Sequence, residues 1–281
     1  MIPQRKHPAR PGAHRLPKLG FGTWRLSGRD CEHGVADALA AGYRHVDTAA
    51  MYDNEEEVGR GVRASGVDRS EMWLTTKVWP DDLQPDRLRA SLEGSLRRLG
   101  TDYVDLLLIH WPNPDVPLAV TLGAMGALRE QGRAREIGVS NFNSAQFREA
   151  IELAPVIVNQ VEYHPFLGQQ ALLEVCREQG VELTAYRPLA RGEVAGDPTI
   201  REIAESHGAT PAQVALAWLV GQEPVSAVPK ASSPERRREN LAALDLELSA
   251  EERSRIDALP KDRRGVETQW SPDWDPTVSP A

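Results

Sequence analysis

The sequence holds only two cysteines in 281 residues, Cys31 and Cys176, far apart and outside any C-x-x-C pair. That excludes a disulfide framework or a zinc ribbon and suits a reducing compartment, so both are read as small buried hydrophobes. No run approaches about 18 consecutive apolar residues, which excludes a membrane-spanning helix. The opening Met1-Ile-Pro-Gln-Arg-Lys-His has basic residues but no apolar stretch after them, unlike a secretory signal. Basic charge is short as well: 33 Lys+Arg against 41 Asp+Glu leave −8, the wrong sign for a nucleic-acid or membrane surface. Low-complexity linkers and close internal repeats are missing too. The expectation is a cytoplasmic monomer with no nucleic-acid or membrane partner and no metal site. Only a local basic patch for a small anion is left open.

What is present is a globular composition, 41% hydrophobic and 26% charged. Short apolar or β-branched runs alternate with amphipathic stretches. Strands are expected near 19–22 and at 43–47, 72–77, 103–109, 135–139, 157–161, 181–185 and 225–228. Helices are expected at 54–63, 84–99, within 118–131, after an N-cap at Ser144, and at 169–179, 198–207, 212–220, 234–241 and 249–259. Within 84–99, Leu88, Leu92, Leu96 and Leu99 form one stripe. Thr210-Pro211 reads as an N-cap/N1 pair and Ser249-x-x-Glu252 as a capping box.

Eight strands alternating with helices close most simply into one (β/α)8 TIM barrel, an α/β fold, with an N-terminal extension. An open doubly wound sheet would want a glycine-rich turn after its first strand, and Gly20-Phe-Gly22-Thr-Trp-Arg25 puts Arg at the third glycine. The tail, 260–281, carries Trp270 and Trp274. Two tryptophans are costly to leave loose, so it is expected to pack over the barrel mouth.

Barrel chemistry sits at the C-terminal ends of strands. Asp47, Lys77 and His110 each end an expected strand, spaced 77 − 47 = 30 and 110 − 77 = 33 residues apart, one βα unit each. All three should point into one mouth, with Tyr52 five residues past Asp47. Taken singly, Lys77 reads as a surface lysine and His110 as a core histidine; four register-matched groups read as a site. An ammonium beside a phenol lowers its pKa from about 10 and stabilises the phenolate, and a carboxylate keeps that lysine charged. Such a tyrosine could protonate a carbonyl oxygen, with the histidine orienting it. A hydride source would still be needed.

Five stretches then carry a resemblance along essentially the whole chain: 42–59 (GYRHVDTAAMYDNEEEVG), 108–112 (LIHWP), 137–142 (IGVSNF), 158–165 (VNQVEYHP) and 228–241 (VPKASSPERRRENL). In this order they resemble the aldo-keto reductases, most of all the bacterial 2,5-diketo-D-gluconate reductases. The resemblance implies reduction of a small carbonyl substrate with NADPH, NADH serving more weakly, and a tetrad of Asp47, Tyr52, Lys77 and His110. It places Ser140, Asn141 and Gln160 on the nicotinamide carboxamide and Tyr186 on the ring face. Gly22, Thr23, Trp24, Asp47 and Leu189 join the cofactor set. Lys230, Ser232, Ser233, Arg236 and Asn240 take the adenosine end, with Arg237 and Arg238 facing solvent. Trp24, Trp79, Trp111, Trp270 and Trp274 are the implied substrate walls. Ala231, where the family often has Ser, removes one donor to a 2′-phosphate. Arg187 stands where the family commonly has Ser and is left either on the pyrophosphate or in water. Two other classes remain: an NADP(H)-sensing barrel without turnover, and a lyase using Lys77 as a Schiff-base nucleophile.

Overall fold

The structure, a computed structural model, describes residues 16–277. The expected N-terminal extension lies outside these residues. Eight strands form one parallel sheet in sequence order: β1 (Phe21–Gly22), β2 (His45–Asp47), β3 (Trp73–Val78), β4 (Val104–Ile109), β5 (Ala134–Ser140), β6 (Val156–Glu162), β7 (Glu182–Tyr186) and β8 (Val225–Ala227). A parallel bridge between Leu19 and Ala227, with the Gly20 N–H donating to the Ala227 carbonyl at 2.8 Å, joins the two edges. This is the expected (β/α)8 architecture.

The period of two along each strand decides what the interior holds. Val46, Leu74, Leu107, Ile109, Ile137, Val139, Leu183 and Ala185 belong to the large apolar layer that packs beneath the helices. Leu106, Leu108 and Val158 form a second, smaller cluster, capped by Leu16. Polar groups share that inner face, as in the 2.9 Å contact of His45 with Thr75 and the 2.8 Å contact of Thr184 with Ser226. Two residues further along the same strands come Asp47, Lys77, His110 and Tyr186. The alternation that fills the barrel thus also lifts these side chains to its C-terminal rim.

Helices fill the connections. α2 (Glu55–Ala64) and α3 (Pro85–Leu99) follow β2 and β3, and all four leucines of the α3 stripe are buried. α4 (Leu118–Glu130), α5 (Ser144–Leu153), α6 (Gln170–Gln179), α7 (Pro198–Ser206), α8 (Pro211–Val220), α9 (Pro234–Ala242) and α10 (Ala250–Asp257) lie where expected to within a few residues. The capping boxes of Thr210 and Ser249 are formed.

Two local features differ from expectation. Between β1 and β2 stands α1 (Gly28–Ala41), whose buried stripe of Cys31, Val35, Ala38 and Leu39 is built mostly from small side chains among charged ones. Gly42, at φ 117°, stops it in the left-handed region that favours glycine. The N-cap of α5 is Asn143 rather than Ser144: the Asn143 side chain accepts from the Gln146 N–H at 2.9 Å and the Gln146 side chain returns the bond. Ser144 turns its own N–H and hydroxyl to Asp275 instead, at 2.7 and 2.6 Å.

Gly59 marks the closest approach of two helices, since a Cβ there would fall on the Leu99 carbonyl at the end of α3. Gly59→Ala is expected to cost about 1–3 kcal/mol by overpacking. Thermal unfolding followed by circular dichroism should show a lower Tm, with turnover per folded molecule unchanged.

Candidate active site

The four rim residues meet around one buried ammonium. Lys77 Nζ donates to Asp47 Oδ2 at 2.7 Å, to the Thr48 carbonyl at 2.9 Å and to the Tyr52 hydroxyl at 3.2 Å. The Lys77 side chain is 0% exposed and that of Asp47 5%. Tyr52 is carried there by a short 3-10 turn, Ala50–Tyr52, directly after β2. His110 follows β4 and stands edge-on to Tyr52, with ring centroids 5.7 Å apart, and to Trp79 at 5.2 Å. Trp24, 43% exposed, lies 4.8 Å from the Tyr52 ring. Tyr52 and His110 therefore sit between two tryptophans.

Burial and charge act against each other here. Burial alone would lower the Lys77 pKa, but Asp47 and Tyr52 outweigh it and hold the lysine above its ordinary value. Burial also raises Tyr52, reinforced by Asp47, while Lys77 pulls it down without prevailing. This corrects the expectation of a lowered phenol: removing water from the phenolate costs more than the neighbouring ammonium returns. His110 is pushed well below its usual range, first by burial and then by Lys77. At neutral pH the site thus presents a protonated phenol, a charged lysine and a neutral imidazole.

Beside these four, the ends of β5, β6 and β7 supply a hydrogen-bonded arc. Gln160 Nε2 donates to the free oxygen of Asp47, Oδ1, at 2.8 Å. Ser140 Oγ donates to the Gln160 carbonyl at 2.7 Å, and Asn141 Nδ2 to the His110 carbonyl at 2.9 Å. The Tyr186 hydroxyl donates to Asn141 Oδ1 at 2.8 Å.

Residues 18–261 match the model of the Aldo/keto reductase family. The chain belongs to that family. It is 44% identical over 247 residues to an aldo-keto reductase of Mycobacterium sp. (strain KMS), covering 87% of this chain and 89% of the relative. It is 40% identical over 266 residues to the methylglyoxal reductase DkgB of Escherichia coli O157:H7, covering 92% and 99%. The crystal structure of a candidate 2,5-diketo-D-gluconic acid reductase B superposes with a TM-score of 0.91 at 46% identity, covering 93% of this chain and 94% of that one.

Aldo/keto reductases generally use a nicotinamide nucleotide, and the residues expected to hold one fall into two groups. Ser140, Asn141, Gln160 and Tyr186 are brought together beside the tetrad. Half-buried Leu189 opens the turn after β7. Lys230, Ser232, Ser233 and Arg236 gather at the N-terminal end of α9, where the Ser233 side chain caps the helix and Lys230 Nζ donates to Ser232 Oγ at 3.0 Å. Asn240 is buried in the same helix. Gly22 and Thr23 stand at the end of β1, where the Gly22 N–H donates to the Pro229 carbonyl at 3.0 Å and the Thr23 hydroxyl to the Asp47 carbonyl at 3.0 Å.

Of the aromatic walls, Trp24 and Trp79 touch the tetrad. Trp111 is 3% exposed and meets Trp274 of the tail, ring centroids 6.2 Å apart. Trp270, half-buried, makes no ring contact with the tetrad among the described residues.

Two arginines depart from expectation. Arg237 is 4% exposed rather than solvent-facing: its guanidinium donates to Asp37 Oδ2 at 2.7 Å and to the Ala231 carbonyl at 3.2 Å. Arg187, whose side chain is 18% exposed, turns to a carboxylate. Its Nη1 lies 2.8 Å from Oε1 of Glu162, a fully buried carboxylate within the 158–165 stretch to which the resemblance gives no role. The available signal was an acidic residue directly after the strand expected at 157–161.

Proposed function

We propose that this chain reduces aldehyde and ketone carbonyls to alcohols with NADPH, as a soluble cytoplasmic monomer. The carrying observation is Lys77 Nζ held between Asp47 and the Tyr52 hydroxyl. Small dicarbonyls are the substrates to try first, since relatives of 40–42% identity are named methylglyoxal reductase and glyoxal reductase, with 2,5-diketo-D-gluconate beside them.

The donor set fits the cofactor. Amide and hydroxyl groups of Ser140, Asn141 and Gln160 match the donors and acceptors of a carboxamide, and the Tyr186 ring offers a flat face. At α9, neither Lys230 nor Arg236 forms an ion pair with a carboxylate among the described residues, so both charges are free for a 2′-phosphate at a helix N-terminus. When bound, NADPH supplies the hydride to the carbonyl carbon. Tyr52 gives its proton to the carbonyl oxygen as charge builds there, and the Lys77 ammonium stabilises the phenolate left behind. Asp47 keeps Lys77 charged and aimed. His110, neutral, holds the carbonyl oxygen, while Trp24 and Trp79 shield it from water. A Schiff-base role for Lys77 is disfavoured, because its nitrogen is protonated and already has three hydrogen-bond acceptors.

The direct test is fluorescence titration with NADPH and NADH, then loss of nicotinamide absorbance with methylglyoxal and 2,5-diketo-D-gluconate. Binding with carbonyl-dependent oxidation supports the proposal; binding without turnover favours the sensing barrel, and no binding overturns both. Lys230→Ala and Arg236→Ala should each weaken NADPH about tenfold or more, as for a lost charge-assisted hydrogen bond, and leave NADH unchanged. Parallel losses for both nucleotides would remove the 2′-phosphate assignment.

A further inference from the structure

Glu162, the last residue of β6, has a side chain that is 0% exposed. Its Oε2 accepts the backbone N–H groups of Gly265 and Val266, both at 3.0 Å, where the C-terminal tail leaves the barrel. Its Oε1 faces the Arg187 guanidinium at 2.8 Å and His164 Nε2 at 3.5 Å. Burial alone would raise this carboxyl, but His164, the tail amides and Arg187 hold it below its ordinary value. The tail backbone lies directly on the arginine: a Cβ at Gly265 would come within 2.5 Å of Arg187 Nη1.

Two consequences radiate from this carboxylate. Arg187 directly follows Tyr186, and Tyr186 is also the ladder partner of Glu162. At φ 50°, Arg187 occupies a left-handed conformation that disfavours a side chain, so its ion pair helps keep the chain in that turn. On the other side, Arg264 precedes Gly265 and lies over the Trp274 ring, 3.7 Å from its centroid; Trp274 in turn meets Trp111. Further out, Asp275 fastens to Ser144. One carboxylate therefore ties the ring beside Asn141 to the tail that carries Trp274.

We infer that Glu162 is a positioning residue for the reaction: with Arg187 it latches the tail at 265–266, and so holds Tyr186 and Trp274 in fixed relation at the mouth. The inference rests on the proposal that Tyr186 packs on the nicotinamide. Only a carboxylate suits the place, because donors approach from both sides. Glutamine would turn its amide N–H groups toward either the tail amides or the guanidinium, donor against donor. The latch moves no proton and touches no substrate, so it should tune binding and leave the chemical step alone.

The test compares Glu162→Gln, Arg187→Ser and the double variant with the unaltered chain. Limited trypsin digestion reads the tail without any need for activity, since cleavage after Arg263 or Arg264 falls at the latch. Both single variants should be cut there about tenfold faster, the scale of one lost charge-assisted contact. KM for methylglyoxal and the NADPH Kd should rise by a similar factor. The single-turnover rate of NADPH oxidation should stay within about twofold, a split that general unfolding does not produce. The double variant should be no worse than the worse single one, because both act through one contact. Unchanged proteolysis and unchanged KM in both single variants would overturn the latch, as would a fall in single-turnover rate at constant KM. Multiplying defects in the double variant would also overturn it. If the unaltered chain oxidises no NADPH with any carbonyl, the functional proposal fails instead, and the proteolysis result still decides the latch.

Discussion

Tyr52→Phe is expected to lower kcat/KM for carbonyl reduction by about 10²–10⁴, the usual worth of a positioned general acid, while the NADPH Kd stays within about twofold. The two readouts separate because the substitution removes one atom. A phenyl ring still packs 4.8 Å from Trp24 and edge-on to His110, and Lys77 retains Asp47 and the Thr48 carbonyl as acceptors. Only the proton is lost. Steady-state kinetics with methylglyoxal beside a fluorescence titration checks both halves. Turnover like that of the unaltered chain would remove Tyr52 from its role; equal losses of turnover and NADPH binding would make it a cofactor contact. The pH profile carries the same assignment. Because burial raises the Tyr52 pKa, the donor form should persist through neutral pH and fail only in alkali, above the ordinary phenol value of about 10. The variant should lack that alkaline limb.

What the sequence made legible was whatever repeats with the fold's own period. Asp47, Lys77 and His110 could be found because each ends a strand one βα unit after the last, and an alternation of two dictates their direction. Helices with leucine stripes, such as α3, announce themselves; α1 does not, because its stripe of Cys31, Val35, Ala38 and Leu39 is small and interrupted by charge. Other misses share a different cause. Arg237 finds Asp37 from 200 residues away, Ser144 finds Asp275 from 131, and Glu162 finds Gly265 from 103. No local pattern encodes those partners. Arg237 reads as solvent-facing beside Arg238 until the fold brings Asp37 of α1 against it. The direction of the Tyr52 shift was hidden for a related reason: the lysine is visible in the motif, but the depth at which both groups sit is a property of the closed barrel.

Lys77→Met should be the most damaging single change, because it breaks a buried pair rather than an exposed one. It leaves Asp47, whose side chain is 5% exposed, without its cation, a loss of about 3–5 kcal/mol for a buried ion pair missing one partner. Gln160 still donates to Asp47 Oδ1, so the carboxylate keeps one hydrogen bond and the fold is weakened rather than lost. Turnover should fall at least as far as in Tyr52→Phe, since the phenolate formed in the reaction loses its counter-charge. Urea unfolding measures the first effect and steady-state kinetics the second. Adding Asp47→Asn to Lys77→Met should recover most of the stability, because no uncompensated charge then remains, and none of the activity. Stability equal to that of the unaltered chain in Lys77→Met would mean that the pair contributes nothing to the fold. The pH dependence gives an independent sign. Lys77 is held above the ordinary value of 10.5, so its stabilisation is complete below that pH and is lost as pH climbs through the raised value. The unaltered chain should therefore lose stability in strong alkali more steeply than Lys77→Met, and the two urea midpoints should converge as the ammonium titrates.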